Sequence, residues 1–291
     1  MKNILITGAS GLLGSNLTPY LRSCGYSVKT LSRTKKTDEQ ADLTDVLQVF
    51  SVLNKVKPDV IINLAALTNV DTCEENPQLA YLYNVHIVEN LTRWIIEVGD
   101  SCHLVQLSTD HVYDGLGPHK ENDVNLTNYY GFSKYAGELV ASSVNSTILR
   151  TNFFGPSECI GRESLSDWIV KALKNNEKIT VFSDVNFSPL SLKTLVELIG
   201  LVISKQPNGL FNLGSQEGLS KADFAVSLAN TLSLPIHNLA KDMSSSIKLK
   251  TYRPKDMSMN SSLFESIFGI ELPTLKNEIE LMKSAYTNDS K

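Results

Sequence analysis

Asn3-Ile4-Leu5-Ile6-Thr7-Gly8-Ala9-Ser10-Gly11-Leu12-Leu13-Gly14 carries a short apolar run into three spaced glycines and then into an apolar segment with helical spacing, Leu12 to Leu21. Glycine permits a tight turn and lets backbone come close to a ligand, while the head of the following helix offers N–H groups and positive partial charge. A strand, a glycine turn and a helix in that order suit the phosphates of a dinucleotide. The spacing is G-x-x-G-x-x-G rather than G-x-G-x-x-G, and a plain turn before a glycine-packed helix would share these letters. The context, strand before and helix after, favours the dinucleotide site.

Outward from that loop, the first half of the chain alternates two hydrophobic patterns. Short apolar runs at Asn3 to Ile6, Ser27 to Leu31, Val60 to Leu64, His103 to Leu107 and Thr147 to Leu149 read as buried parallel strands. Between them, Leu12 to Leu21, Val46 to Val56, Leu79 to Ile96 and Ser133 to Ser143 have helical spacing. The alternation predicts an α/β fold, a doubly wound parallel sheet of the Rossmann type with loops after the strands along one edge. The second half is less regular, with helices expected at Leu165 to Lys174, Leu192 to Ile203, Lys221 to Leu232 and Thr274 to Ser284, and strands at Ile179 to Phe182 and Leu210 to Leu213. The expected organisation is a dinucleotide-binding domain over 1–150, completed by 184–206. A smaller mixed C-terminal substrate lobe takes 151–183 and 207–287, and the tail Asn288 to Lys291 reads as a frayed end.

Composition excludes several classes. The 291 residues are 42% hydrophobic and 20% charged, with a formal charge of -4, which fits a globular chain and not a nucleic-acid polycation. No apolar stretch reaches membrane-spanning length, and the run Ile4-Leu5-Ile6 is too short for an export signal core. Cys24, Cys73, Cys102 and Cys159 are scattered without a short paired spacing, which reads as reduced thiols in a cytoplasmic protein. Neither nucleic acid nor a membrane is expected as a partner, and no metal is expected.

The end of the second strand chooses the cofactor. An acid there would bind a ribose 2′-hydroxyl and repel a 2′-phosphate. The chain instead reads Leu31-Ser32-Arg33-Thr34-Lys35-Lys36, with its first acids at Asp38 and Glu39. Arg33 can fork onto a phosphate with Ser32 donating, which favours NADP(H) and leaves NAD(H) open, although a solvated basic loop would look the same. Asp42, before Leu43, suits either the adenine edge or a helix cap.

Carbonyl reduction needs a proton delivered to oxygen as hydride reaches carbon. Tyr130 and Lys134 stand four apart at the start of a helical segment and so share a face, where the ammonium would lower the phenol's pKa. The residue four after Tyr129 is Ser133, so Tyr130 alone of this pair has the partner. A surface helix with a stacked pair is the plainer alternative. Thr109, in Leu107-Ser108-Thr109-Asp110, ends the fourth strand where ligands bind in open sheets and could stabilise charge on the carbonyl oxygen.

These residues resemble the extended branch of the short-chain dehydrogenase/reductases, and within it the dTDP-4-dehydrorhamnose reductases and related sugar-nucleotide reductases. The markers are Gly8 to Gly14, Asn63-Leu64-Ala65-Ala66, Leu107 to Gly115, Tyr130-Gly131-Phe132-Ser133-Lys134, Arg150-Thr151, Phe187-Ser188-Pro189, Phe211-Asn212-Leu213 and Arg253-Pro254. The resemblance implies a catalytic Thr109, Tyr130 and Lys134, with Lys134 also holding the nicotinamide ribose. It implies cofactor contacts from Gly8, Ser10, Gly11, Leu12, Leu13, Gly14, Ser32, Arg33, Asp42, Leu43, Ala65 and Ala66. Thr68, Val70, Asp110, His111 and Phe153 match substrate-side positions. Arg253 matches a basic residue near the substrate pyrophosphate, with a surface ion pair equally open, and Asn84 would support the loop after His103 to Leu107 or simply cap backbone as a buried amide.

The chain departs from that pattern at three places. His111 stands where the reductases carry Tyr and bifunctional epimerase/reductases carry a proton-moving Cys, so a combined epimerase/reductase stays open. Phe153 stands where Trp is familiar. Asn16 replaces a Glu that helps hold a magnesium-bridged dimer, so that metal is not expected and a homodimer is left open. The expected function is NADP(H)-dependent reduction of a 4-keto-6-deoxy nucleotide sugar. A non-catalytic regulatory subunit, of the kind resembling the beta subunit of methionine adenosyltransferase, stays open because fold does not fix function.

Overall fold

The computed structural model describes residues 2–33, 37–99, 101–159 and 161–287. Lys35, Lys36 and the tail Asn288 to Lys291 lie outside the described residues. The main sheet has seven strands: β1 (Asn3–Thr7), β2 (Ser27–Ser32), β3 (Glu39–Gln40), β4 (Val60–Asn63), β5 (His103–Thr109), β6 (Ser146–Thr151) and β7 (Gly209–Leu213). Their order is β7-β6-β5-β4-β1-β2-β3, with β1 parallel to both β2 and β4, and β4 parallel to β5. Chain order reverses between β1 and β4, the place where doubly wound sheets bind ligands at the carboxyl ends of their strands. The strand expected at Leu210 to Leu213 is the edge strand of this sheet.

Two compact units divide the chain. The first is Met1–Thr109 with Asn128–Leu149 and Val196–Leu210, and the second is Asp110–Thr127 with Arg150–Leu195 and Phe211–Lys291. In the first, helices α1 (Leu12–Ser23), α2 (Val46–Val56), α3 (Val70–Glu75), α4 (Pro77–Tyr81), α5 (Ile87–Glu97) and α6 (Tyr129–Ala141) follow the strands. Leu5, Leu31, Ile61 and Leu104 from four strands pack against Val49, Val52 and Leu53 of α2 and Leu91, Trp94 and Ile95 of α5. Burial of such aliphatic side chains contributes about 1.5–3 kcal/mol each before the cost of ordering the chain. The helix expected over Leu79 to Ile96 is interrupted by a π turn at Leu82–His86, which carries Tyr83 and Asn84. Hydrophobic spacing cannot register one extra residue in a turn, so the interruption was invisible in the sequence.

In the second unit α7 (Leu165–Lys174), α9 (Lys221–Thr231) and α11 (Leu275–Thr287) share a core, and α10 (Ser262–Phe268) is a further short helix. α8 (Leu192–Lys205) begins in this unit and ends in the first. Phe224 packs edge-on to Phe154 at 4.9 Å and to Phe187 at 5.3 Å. A buried polar network accompanies this core. Arg150, 1% exposed, donates to the Tyr113 hydroxyl at 2.7 Å and the Glu121 carbonyl at 2.6 Å. Tyr113 in turn donates to Asn212 Oδ1 at 2.6 Å, and Asn212 Nδ2 donates to the His119 carbonyl at 2.9 Å. Three separate sequence markers therefore meet as one satisfied network, which a buried guanidinium requires. Cys24, Cys73, Cys102 and Cys159 form no disulfide, and no helix among the described residues is long and apolar enough to cross a membrane.

His103 on β5 is buried and shares a hydrogen bond of 2.8 Å between its Nε2 and Thr147 Oγ1. Burial, with the charge of Lys2, lowers its pKa to about 4. The unfolded chain then binds the extra proton between about pH 6.5 and pH 4, so stability falls as pH drops through that window. His103 alone should cost roughly 3 kcal/mol between pH 7 and pH 4. Urea unfolding of His103→Gln should show a correspondingly shallower acid loss than the parent, and equal slopes would contradict this.

Candidate active site

The glycine loop sits at the reversal between β1 and β4. Gly8 has φ +64, and a Cβ on it would lie 2.8 Å from Ala65 N in the loop after β4. A Cβ on Gly14 would lie 2.5 Å from Ala9 Cα. Both positions need glycine, one for its left-handed backbone and both for close approach. Gly11 N donates to Gly8 O at 3.0 Å and closes the turn. Gly11 is the cap of α1, and no side chain caps the first turn, so the N–H groups of Leu12 and Leu13 face the loop's end as an anion cradle does. A phosphate-bearing cofactor fits this arrangement.

A chain of buried side chains fixes the loop. Thr7 Oγ1 donates to Asn63 Oδ1 at 2.6 Å, and Asn63 Nδ2 donates to Gln106 Oε1 at 2.8 Å. These bonds tie the carboxyl ends of β1 and β4 to the middle of β5, and Ala65 N is drawn to both Thr7 Oγ1 and Asn63 Oδ1 at 3.3 Å. Ala66 follows in the same loop, half-buried. At the end of β2, Ser32 Oγ lies 3.1 Å from Thr37 Oγ1, and Arg33 donates to the Tyr83 hydroxyl at 2.6 Å while stacking 5.2 Å from its ring. Asp42 Oδ1 accepts from the backbone and hydroxyl of Thr44 at 3.0 and 2.8 Å. Its carboxylate is thus engaged in a local turn ahead of α2, and Leu43 is buried in the core behind it.

α6 carries Tyr130 and Lys134 on one face, and its first turn is capped by Asn128, whose side chain accepts from Gly131 N at 2.8 Å. Tyr130 is 8% exposed and packs with Leu67, Val70, Cys73 and Ala80. Lys134 is 6% exposed, and its ammonium donates to the carbonyl of Leu107 on β5 at 2.6 Å. Thr109, buried, ends the same strand two residues later. Burial lowers the Lys134 pKa to about 8, against the opposing charge of Glu138. A lysine at such a value can hold or release its proton near neutral pH.

Asn84 lies on the π turn, buried. Its amide accepts from Leu67 N at 2.8 Å and donates to Leu67 O at 3.0 Å and Ser133 Oγ at 2.9 Å. It therefore braces the loop after β4 and acts as a buried amide on backbone, and these bonds do not reach the loop after His103 to Leu107. Thr68 is exposed in that loop and Val70 opens α3.

The remaining substrate-side residues lie in the second unit. Asp110 is buried and accepts from Asn152 Nδ2 at 2.6 Å. Phe154 points into the core, so Phe153, the preceding residue of a short strand, points to the opposite face. Arg253 donates to the Thr251 carbonyl at 3.0 Å. Burial and the charges of Lys221 and Arg253 hold His111 at about 3. Lys221, which the sequence did not single out, opens α9 with its ammonium 5.8 Å from the Phe187 ring, and burial lowers its pKa. As the first residue after the Ser220 cap it reads like an ordinary solvated helix start, so nothing in the pattern flagged it.

The close approach at Gly14 is directly testable. Gly14→Ala should lower stability by about 1–3 kcal/mol, because its Cβ meets backbone and not a yielding side chain. An unchanged unfolding midpoint in urea would remove the packing constraint on the loop.

Comparison with known proteins places the chain in context. The RmlD substrate binding domain family matches residues 1–288. A dTDP-4-dehydrorhamnose reductase of Aggregatibacter actinomycetemcomitans is 32% identical over 78% of each chain. The crystal structure of dTDP-4-dehydrorhamnose reductase from Bacillus anthracis in complex with NADP superposes with a TM-score of 0.87 at 26% identity, covering 99% of this chain and 100% of that one. The methionine adenosyltransferase 2 subunit beta of Xenopus laevis is 27% identical over 82% of this chain and 74% of its own length. With the family pattern running from one end to the other over a Rossmann-type sheet, the chain belongs to the RmlD substrate binding domain family.

Proposed function

We propose that this chain is an NADP(H)-dependent reductase of a 4-keto-6-deoxy sugar carried on a nucleotide, of the dTDP-4-dehydrorhamnose reductase type. The observation that carries the reading is the buried Lys134 ammonium, anchored to β5 at Leu107 O, one helical turn from Tyr130 and on the strand that ends in Thr109. The NADP complex of the Bacillus anthracis relative supports the cofactor. The loop Gly8 to Gly14, with Ser10, Leu12 and Leu13, would hold the cofactor's phosphates, Ala65 and Ala66 would line its cleft, and Ser32 and Arg33 would receive a 2′-phosphate. When bound, NADPH supplies the hydride.

The protein's own groups supply the rest. Tyr130 gives its phenolic proton to the keto oxygen. Thr109 donates a hydrogen bond to that oxygen as charge develops on it. Lys134, positively charged, stabilises the tyrosinate left behind and orients the cofactor ribose. Thr68, Val70, Asp110, His111, Phe153 and Arg253 would meet the sugar and nucleotide, with Arg253 on phosphate oxygens.

The epimerase reading needs a group that exchanges protons with carbon near neutral pH. An imidazole held at about 3 is a weak base for taking a proton from carbon, which supports reduction without epimerisation. Solvent deuterium is therefore expected to be absent from the carbon beside the reduced one, and its incorporation would restore His111 as a proton carrier. The likeness to a methionine adenosyltransferase subunit keeps a regulatory role as the contrasting outcome.

The deciding assay offers a panel of nucleotide-linked keto sugars and follows NADPH oxidation. The parent protein should turn over one of them, and Tyr130→Phe should lose roughly 10²–10⁴-fold in kcat while still binding NADPH. No turnover across the panel would favour the regulatory reading, and full activity in the variant would remove Tyr130 from the chemistry.

A further inference from the structure

Lys134 presents a difficulty that Tyr130 and Thr109 do not resolve. Its ammonium donates to a neutral carbonyl, Leu107 O, and burial favours the uncharged amine. Reduction by the proposed route needs the charged form.

On α6, Tyr130 lies one turn before Lys134 and Glu138 one turn after it. On α3 the facing group is Cys73, whose thiol burial pushes up to about 11, so it carries no charge at neutral pH. Glu74 on the same helix accepts from the backbone N–H of Tyr129 at the head of α6. From β5 come Ser108 and Thr109, and from the π turn Asn84, none of which ionises near neutrality. Glu138 is thus the main source of compensating charge. It is 2% exposed, and its carboxylate accepts a hydrogen bond from the Ser108 hydroxyl, next to Thr109 in the chain. A carboxylate is costly at that depth unless it is hydrogen-bonded and faces a cation.

We infer that Glu138, anchored by the Ser108 hydroxyl, is a positioning residue that keeps the Lys134 ammonium charged one turn from the Tyr130 phenol. It acts through Lys134 and does not itself meet the substrate. The inference rests on the proposed reductase reading for its kinetic consequence, but its electrostatic part can be measured without turnover.

The test compares the parent with Glu138→Gln, which keeps an acceptor for Ser108 and removes the charge. The alkaline limb of kcat/KM for reduction should move down by about one pH unit or more, giving a loss of about fivefold or more at pH 8. Near pH 6 the two proteins should differ little. Protein carrying lysine labelled with ¹³C at the ε carbon reports the Lys134 titration by NMR, assigned by its absence in Lys134→Met, and that midpoint should fall in parallel. If the chain reduces none of the sugars offered, the reductase reading fails while the NMR midpoint still judges the role of Glu138. Should Glu138→Gln not fold, Ser108→Ala takes its place, with a smaller shift in the same direction expected. A Lys134 midpoint within about 0.3 pH unit of the parent, in whichever variant folds, overturns the inference.

Discussion

A cation has to be kept where water is scarce. Lys134, on α6, is buried with its ammonium on a backbone carbonyl of β5. A lysine in such a place is stable in its charged form only if the cost of leaving water is offset locally. The offset here comes from one carboxylate a helical turn away, held by a serine of the strand that ends in Thr109.

The frame for this arrangement is built from contacts distant in sequence. Thr7 and Asn63, at the ends of β1 and β4, are locked to Gln106 in the middle of β5, which fixes the glycine loop and the loop after β4. Asn84, displaced onto the π turn, ties that second loop to α6 through Ser133. The loop and the helix bearing Tyr130 are thereby held to the same strand ends. In the second unit, Arg150, Tyr113 and Asn212 perform a comparable task for their own core. Buried polar networks of this kind confer a unique geometry when every member is satisfied.

Local pattern made much of this readable. Gly8 to Gly14, the five apolar strands and the Tyr130/Lys134 spacing point to a doubly wound sheet with reductase chemistry, because each depends on residues near one another in the chain. The helix bounds Val46–Val56 and Leu165–Lys174 agree with the sequence reading, as both have well-defined caps. What escaped depends on distant partners. The meeting of Ser108 with Glu138 joins residues 30 apart, and the seating of half-buried Lys221 beside Phe187 follows from tertiary packing that no spacing rule records. The π turn escaped for a different reason, since one inserted residue leaves the apolar periodicity almost unaltered.

The proposed chemistry needs Tyr130, Lys134 and Thr109 to converge on substrate and cofactor, and a crystal structure of the chain with NADP and the sugar nucleotide it turns over measures that convergence directly. The Tyr130 and Thr109 oxygens should each lie about 2.6–3.2 Å from the oxygen at C4 of the sugar, with Lys134 Nζ within reach of the nicotinamide ribose hydroxyls. A bound sugar whose C4 oxygen is met by neither Tyr130 nor Thr109, with the cofactor in place over the Gly8 to Gly14 loop, would contradict it.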